Sequence, residues 1–135
     1  KGNWDTTTNT AQYYIKENSL SWGNYNSSTF TINSAKAKKY NDINNSCEDI
    51  TGEKSERMLL TTGASEYTNK MNIYDFAGNE REWTLELATL YTSSPCSGRG
   101  GIFYNHGFSD GPASDRLSSY TTFGENGIGL RPSLY

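Results

Sequence analysis

Residues 72–84, NIYDFAGNEREWT, decide how this chain is expected to fold. The pair Gly78-Asn79 predicts a tight turn, because glycine and asparagine tolerate the positive φ angles that such turns require. After the turn, residues 82–87 alternate polar and apolar side chains with the period of two that is typical of a β-strand. Trp83 lies in this strand and carries a large apolar surface, so we expect it in the core.

Outward from this stretch, turn-forming residues separate short apolar runs. Residues 8–19 predict a helix, because Ala11, Tyr14 and Ile15 recur at helical spacing. Residues 21–52 are mostly irregular and rich in turn formers. One early helix, later strands and long loops indicate an α+β fold with a small antiparallel sheet. Further strands are expected at residues 29–32, 58–62, 101–104 and 128–134.

The composition narrows the class of protein. The 135 residues fit one domain over 1–135. The mean hydropathy of −0.78 is that of a polar chain, but 13% of the residues are aromatic. Disordered chains contain few aromatic residues, so the composition indicates a folded domain. The net charge of −3, without a basic cluster, predicts no nucleic-acid partner, and no apolar run is long enough for a membrane span. Because the chain begins at Lys1 without Met, we expect it to be the C-terminal part of a longer protein.

Classical catalytic motifs are missing from the sequence. The one histidine, His106, lies in a glycine-rich loop, and no serine has the surroundings of a nucleophile elbow. Residues 98–101, GRGG, lack the spacing of a phosphate-binding loop and favour close backbone packing instead. Cys47 and Cys96 allow one disulfide, and the sequence leaves open whether they pair. We therefore expect no catalytic residue.

Three separated motifs carry a family resemblance. Residues 72–84 are followed by Arg99-Gly100-Gly101 and then by IGLRP at residues 128–132. This order resembles the formylglycine-generating-enzyme-like branch of the C-type lectin fold, over roughly residues 58–135. Glu80 and Arg81 depart from the apolar and aromatic pair usual in that family, and Leu130 stands where phenylalanine is commoner. The resemblance implies a C-type lectin fold.

The resemblance also implies a scaffold. Arg99 and Arg131 are isolated arginines in apolar strands, and we expect buried ion pairs with Glu82 or Glu86. Some family members bind calcium near the Gly-Asn turn; whether Asn79 and Glu82 do so stays open, and we assign no metal site. The expected scaffold residues are Asn79, Glu82, Trp83, Arg99, Gly100, Gly101 and Arg131.

The family's enzymology does not transfer to this sequence. Formylglycine-generating members use paired cysteines shortly after Arg-Gly-Gly, whereas here Gly101 is followed by IFYNHGFS. The sulfoxide-forming relatives use a histidine-rich iron site, which one histidine cannot build. We therefore expect a non-enzymatic protein without cofactors, and a formylglycine-type oxidase remains a disfavoured alternative.

Residues 102–124 have an unusual composition. They contain no Lys, Glu, Gln, Met or Trp, although these types make up 21 of residues 1–101. None of these five amino acids is encoded by a codon ending in a pyrimidine. Their absence is therefore the pattern expected if AAC or AAT codons were randomised at their adenines. This resembles the variable region of a diversity-generating retroelement target protein, of the type found in Firmicutes and their phages. An ordinary glycine- and serine-rich surface loop is the alternative.

The retroelement resemblance implies a hypervariable ligand-binding surface. Aromatic side chains and small polar ones are the mixture that binding loops use. The implied partner is a protein or glycan on a cell surface, and the implied location is a virion tail or a bacterial cell surface. A lectin-like surface domain of fixed specificity is the other alternative, and the oligomeric state stays open. The expected contact residues are Ile102, Phe103, Tyr104, Asn105, His106, Phe108, Ser109, Asp110, Asp115, Leu117, Ser118, Ser119, Tyr120, Phe123 and Asn126.

Overall fold

The computed structural model describes residues 9–70, 72–88, 92–119 and 127–130. Within them, one helix precedes ten short strands, so the chain is a sheet-rich domain with little helix. Helix α1 spans Asn9–Lys16, inside the predicted range. The strands are β1 (Phe30–Thr31), β2 (Lys38–Asn41), β3 (Ser46–Asp49), β4 (Glu53–Lys54), β5 (Asn69–Lys70), β6 (Ile73–Tyr74), β7 (Arg81–Leu87), β8 (Cys96–Arg99), β9 (Arg116–Ser119) and β10 (Ile128–Gly129), with a 3₁₀ turn at Glu66–Thr68.

The largest sheet has the order β10-β7-β8-β9. β7 confirms the predicted strand, and it follows a turn in which Gly78 and Asn79 have φ angles of 69° and 62°. A Cβ at Gly78 would collide with the backbone of Asn24, so the turn needs glycine for space as well as for conformation. β7, β8 and β9 pair antiparallel, as expected, but β10 runs parallel to β7, so the sheet is mixed and not antiparallel throughout.

Three strand predictions need correction. The strand expected at residues 101–104 lies earlier, at β8, because Gly100 has a φ of 81° and ends it. No strand forms at residues 58–62: Leu60 makes a single bridge to Lys39, and its backbone amide donates to the side chain of Asn79. Residues 21–52, expected to be largely irregular, contain the β2–β3 hairpin.

The core consists of two apolar clusters. One is built around Phe30, Ile32 and Leu60, with the Phe30 ring stacked on Tyr67 at 4.8 Å. The other contains Trp22 and Tyr25, both fully buried, with Ala77 and Ala113. Trp83, expected in the core, is only half-buried, and the buried indole is that of Trp22.

Candidate functional site

The segment after β8 folds around the ring of Tyr25. This ring is completely buried, and a Cβ at Gly101 or Gly107 would approach it to 2.7 Å or 2.6 Å. The two glycines therefore allow the backbone to press against the ring, which gives the Gly-Gly motif a packing role. Ile102 lies between them in sequence and is also buried. Ile102 was expected to contact ligand; that expectation was wrong because its side chain belongs to the core.

A hydrogen-bonded clasp of Asn105 and Asp110 holds the next turn. The Asn105 side chain accepts from the backbone N–H of Ile102 at 3.0 Å and donates to the Asp110 carboxylate at 3.0 Å. Asp110 in turn accepts from the backbone N–H of His106 at 2.9 Å. Both side chains were expected to meet ligand. Their polar atoms fix the shape of the loop, and ligand contact by the exposed Asp110 stays a prediction.

Asp115 and Ser119 also serve the frame. The Asp115 carboxylate forms a 2.7 Å ion pair with the guanidinium of Arg81, whose side chain is only 9% exposed. Ser119 is buried at the end of β9. The predicted loop therefore contains a strand. The expectation that Ser119 forms the contact surface was wrong, whereas Asp115 is half-buried and its ligand contact stays a prediction.

Other members of the predicted surface are exposed. Tyr104 and Phe108 show 43% and 50% of their surfaces, and Leu117 on β9 shows 36%. His106 and Ser109 are also exposed, and the His106 ring lies 6.0 Å from that of Phe108. We call these five residues the exposed set: Tyr104, His106, Phe108, Ser109 and Leu117. Phe103 and Ser118 are half-buried, and Tyr120, Phe123 and Asn126 lie outside the described residues.

The arginines of the frame join the sheet to the loop. As expected, Arg99 pairs with Glu86, at 2.6 Å, and it also donates to the backbone carbonyl of Ser114 at 2.9 Å. This pair is half-exposed, so the expectation of a buried one was wrong for Arg99. Among the described residues, the buried arginine is Arg81, which departs from the pattern of the family that the sequence resembles. Arg131 lies outside the described residues.

Asn79 uses its side chain to replace missing strand hydrogen bonds. Its amide nitrogen donates to the carbonyl of Leu60 at 2.9 Å, and its oxygen accepts from the Leu60 N–H at 3.0 Å and from Asn24 at 2.8 Å. Glu82 is half-buried in β7, opposite Arg99. No group of three or more potential metal-ligating residues occurs within the described ranges.

The two cysteines are not joined by a disulfide. Cys47 lies exposed on β3 and Cys96 on β8, and both are free thiols. Among the residues described, no helix has the length and apolar character of a membrane span.

A groove beside the exposed set was missed by the sequence analysis. It has a volume of about 690 Å³ and lies between α1 and residues 108–116. Tyr13 and Lys16 of α1, with Glu17 just after the helix, form one wall. Nothing in the helical spacing indicates which loop packs beside α1, so these side chains could not be assigned from sequence. The chain matches no family model, no curated protein and no solved structure.

Proposed function

We propose that this chain is a non-enzymatic ligand-binding domain that displays a hypervariable surface on a C-type lectin-like scaffold. The observation that carries the proposal is the division of residues 102–119 into two classes. Ile102, Asn105 and Asp110 hold the frame, whereas the exposed set has side chains available to a partner. The exposed set lies within residues 102–124, which contain no Lys, Glu, Gln, Met or Trp.

The chemistry of the exposed set suits recognition. Tyr104 and Phe108 offer rigid rings with few torsions to immobilise, while His106 and Ser109 offer adaptable hydrogen bonds. Such anchors bind best when the backbone beneath them is already ordered, because less conformational entropy is then lost. The Asn105–Asp110 clasp supplies that order. A protein or glycan on a cell surface remains the proposed partner, and a virion tail or bacterial surface the proposed location.

Two matched libraries test the proposal. In the first, all five positions of the exposed set are randomised with codons ending in a pyrimidine, and the displayed chains are challenged with protease. In the second, five frame positions receive the same codons. We expect most of the first library to stay protease-resistant and most of the second to be cleaved. The frame positions are Ile102, Asn105, Gly107, Asp110 and Asp115.

The first library is then selected separately on purified lysozyme and on serum albumin. We expect specific binders to each, with different residues in the exposed set. A first library that unfolds as readily as the second would place these side chains in the core and overturn the proposal. Folded variants that yield no binders would point to a surface domain of fixed specificity.

A further inference from the structure

The groove joins a constant wall to the proposed variable one. Tyr13 belongs to α1 and Glu17 directly follows it, both far outside residues 102–124, whereas Phe108 and Asp110 belong to the loop. Any partner that covers the exposed ring of Phe108 therefore lies next to side chains that the proposed variation leaves unchanged.

Hydrogen bonds fix the two walls relative to each other. The Ser114 N–H donates to the carbonyl of Ile15 at 3.0 Å, and the Ser19 N–H donates to the carbonyl of Gly107 at 2.7 Å. The hydroxyl of Ser19 also accepts from the N–H of Ala113 at 2.7 Å. The groove is consequently preorganised, which lowers the entropic cost of filling it.

The side chains of the groove favour a cation. The rings of Tyr13 and Phe108 are each about half exposed, and aromatic faces attract ammonium and guanidinium groups. In the described part of the chain, neither Glu17 nor Asp110 forms an ion pair, although the Asp110 carboxylate accepts hydrogen bonds from the Asn105 side chain and the His106 N–H.

The groove's own cations do not cancel this preference. The guanidinium of Arg116 is already bound to Glu86 at 3.1 Å and to the carbonyl of Leu87 at 2.8 Å. Lys16 remains, on the last turn of α1, where it complements the negative end of the helix dipole. Two carboxylates without a cation partner, those of Glu17 and Asp110, and the helix C-terminus thus face the single ammonium of Lys16.

We infer that the groove receives an arginine or lysine side chain of a protein partner, with Tyr13 and Glu17 as specificity-determining residues shared by all variants of the loop. The inference rests on the proposed function, because it places the partner on the same surface. A charged side chain between aromatic rings and carboxylates gains both cation–π and charge-assisted hydrogen-bond energy.

Nuclear magnetic resonance of the ¹⁵N-labelled wild-type chain tests the inference directly. The probes are acetyl-Gly-Arg-Gly-amide, the same peptide with Gln or Glu in place of Arg, and cellotetraose as a neutral glycan. We expect only the Arg peptide to shift the amide signals of Tyr13, Glu17 and Phe108, with millimolar affinity that weakens at high salt. Equal shifts with the Gln peptide, shifts elsewhere on the chain, a response to cellotetraose alone, or no shifts would each overturn it.

Matched variants locate the contact. Tyr13→Ala should weaken the Arg-peptide affinity by about two- to fivefold, the effect of losing one exposed cation–π contact. Tyr40→Ala is the control, because Tyr40 is similarly exposed, at 41%, but lies outside the groove. If Tyr13→Ala loses its dispersed amide spectrum, Glu17→Gln replaces it, with the same expectation. These experiments leave the exposed set unchanged, so their failure is distinguishable from failure of the library experiment.

Discussion

The guanidinium of Arg81 and the carboxylate of Asp115 form an ion pair of 2.7 Å that ties the first residue of β7 to the loop before β9. Arg81 also donates to the carbonyl of Gly100 at 3.1 Å, so one side chain links the central strand, the Gly-Gly corner and the loop. Arg81 is thus a buried cation that helps to fix the loop on the sheet, beside the hydrogen bond of Arg99 to the Ser114 carbonyl.

Arg81→Ala should destabilise the fold by about 3 kcal/mol, because it leaves the Asp115 carboxylate without its partner. The exposed pair of Lys38 and Asp49 provides the control, and Lys38→Ala should cost less than about 1 kcal/mol. Urea unfolding followed by fluorescence measures both. Similar losses in the two variants would show that the Arg81 pair is not a special tie.

Alanine substitutions at Gly107 and Gly52 distinguish the cost of a left-handed backbone from the cost of a steric collision. Both have positive φ angles, 78° and 84°, but a Cβ at Gly107 would meet the Tyr25 ring whereas nothing lies within 4 Å of one at Gly52. Gly52→Ala should cost about 1 kcal/mol for the left-handed backbone alone. Gly107→Ala should cost at least about 1 kcal/mol more, from overpacking. Equal melting temperatures would mean that the ring yields freely.

Trp22 and Trp83 should respond unequally to truncation. Trp22 is 1% exposed, and Trp22→Ala should cost about 3–5 kcal/mol, as for other buried aromatic residues. Trp83 is half-buried on β7, so Trp83→Ala should cost clearly less. Equilibrium unfolding of the two variants measures the difference, and a larger loss at Trp83 would mean that the sheet face it lies on is the main core.

Lys54 should make stability depend on alkaline pH. Burial lowers its pKa from 10.5 to about 8, although Glu56 opposes this shift. Its ammonium donates to the carbonyls of Tyr25 and Ser28 at 2.7 Å and 2.8 Å. Because the pKa is lower in the folded chain, the unfolded chain binds more protons between pH 8 and 10.5, and the free energy of unfolding should rise with pH across that window.

The titration of Tyr25 should limit the pH range over which the free energy of unfolding rises. Burial raises the pKa of Tyr25, so the unfolded chain loses that proton first and stability should fall again above about pH 10. Lys54→Met is the control, since it removes the titrating amine and retains an apolar stem. Unfolding curves from pH 7 to 11 should show the rise in the wild type and not in the variant; parallel profiles would contradict the assignment.

The parts of the fold that sequence predicts are those set by local geometry. The Gly78-Asn79 turn and β7 follow from backbone conformation and alternation, and both are confirmed. β8 could not be placed, because Cys96–Arg99 carries little apolar pattern and its pairing with β7 decides that it is a strand. Tertiary pairing there overrides the stronger apolar signal of residues 101–104.

The candidate site was predictable as a segment but not residue by residue. Composition marks residues 102–124, and exposure agrees for Tyr104 and Phe108. Asn105 and Asp110 have the same polar character as surface contacts, and only their mutual hydrogen bond distinguishes them. The ion pair of Arg81 could not be predicted from the sequence, because its partner Asp115 lies 34 positions away.

The hydrogen bonds between α1 and the loop have a consequence for biosynthesis. Ser19 binds Gly107 and Ala113, so the loop cannot be ordered until some 90 residues beyond the helix have left the ribosome. Contacts so distant in sequence form slowly, because chain closure must precede them. An ordered loop is therefore a late event in folding, and a chain truncated before residue 113 would expose the underside of α1 to aggregation.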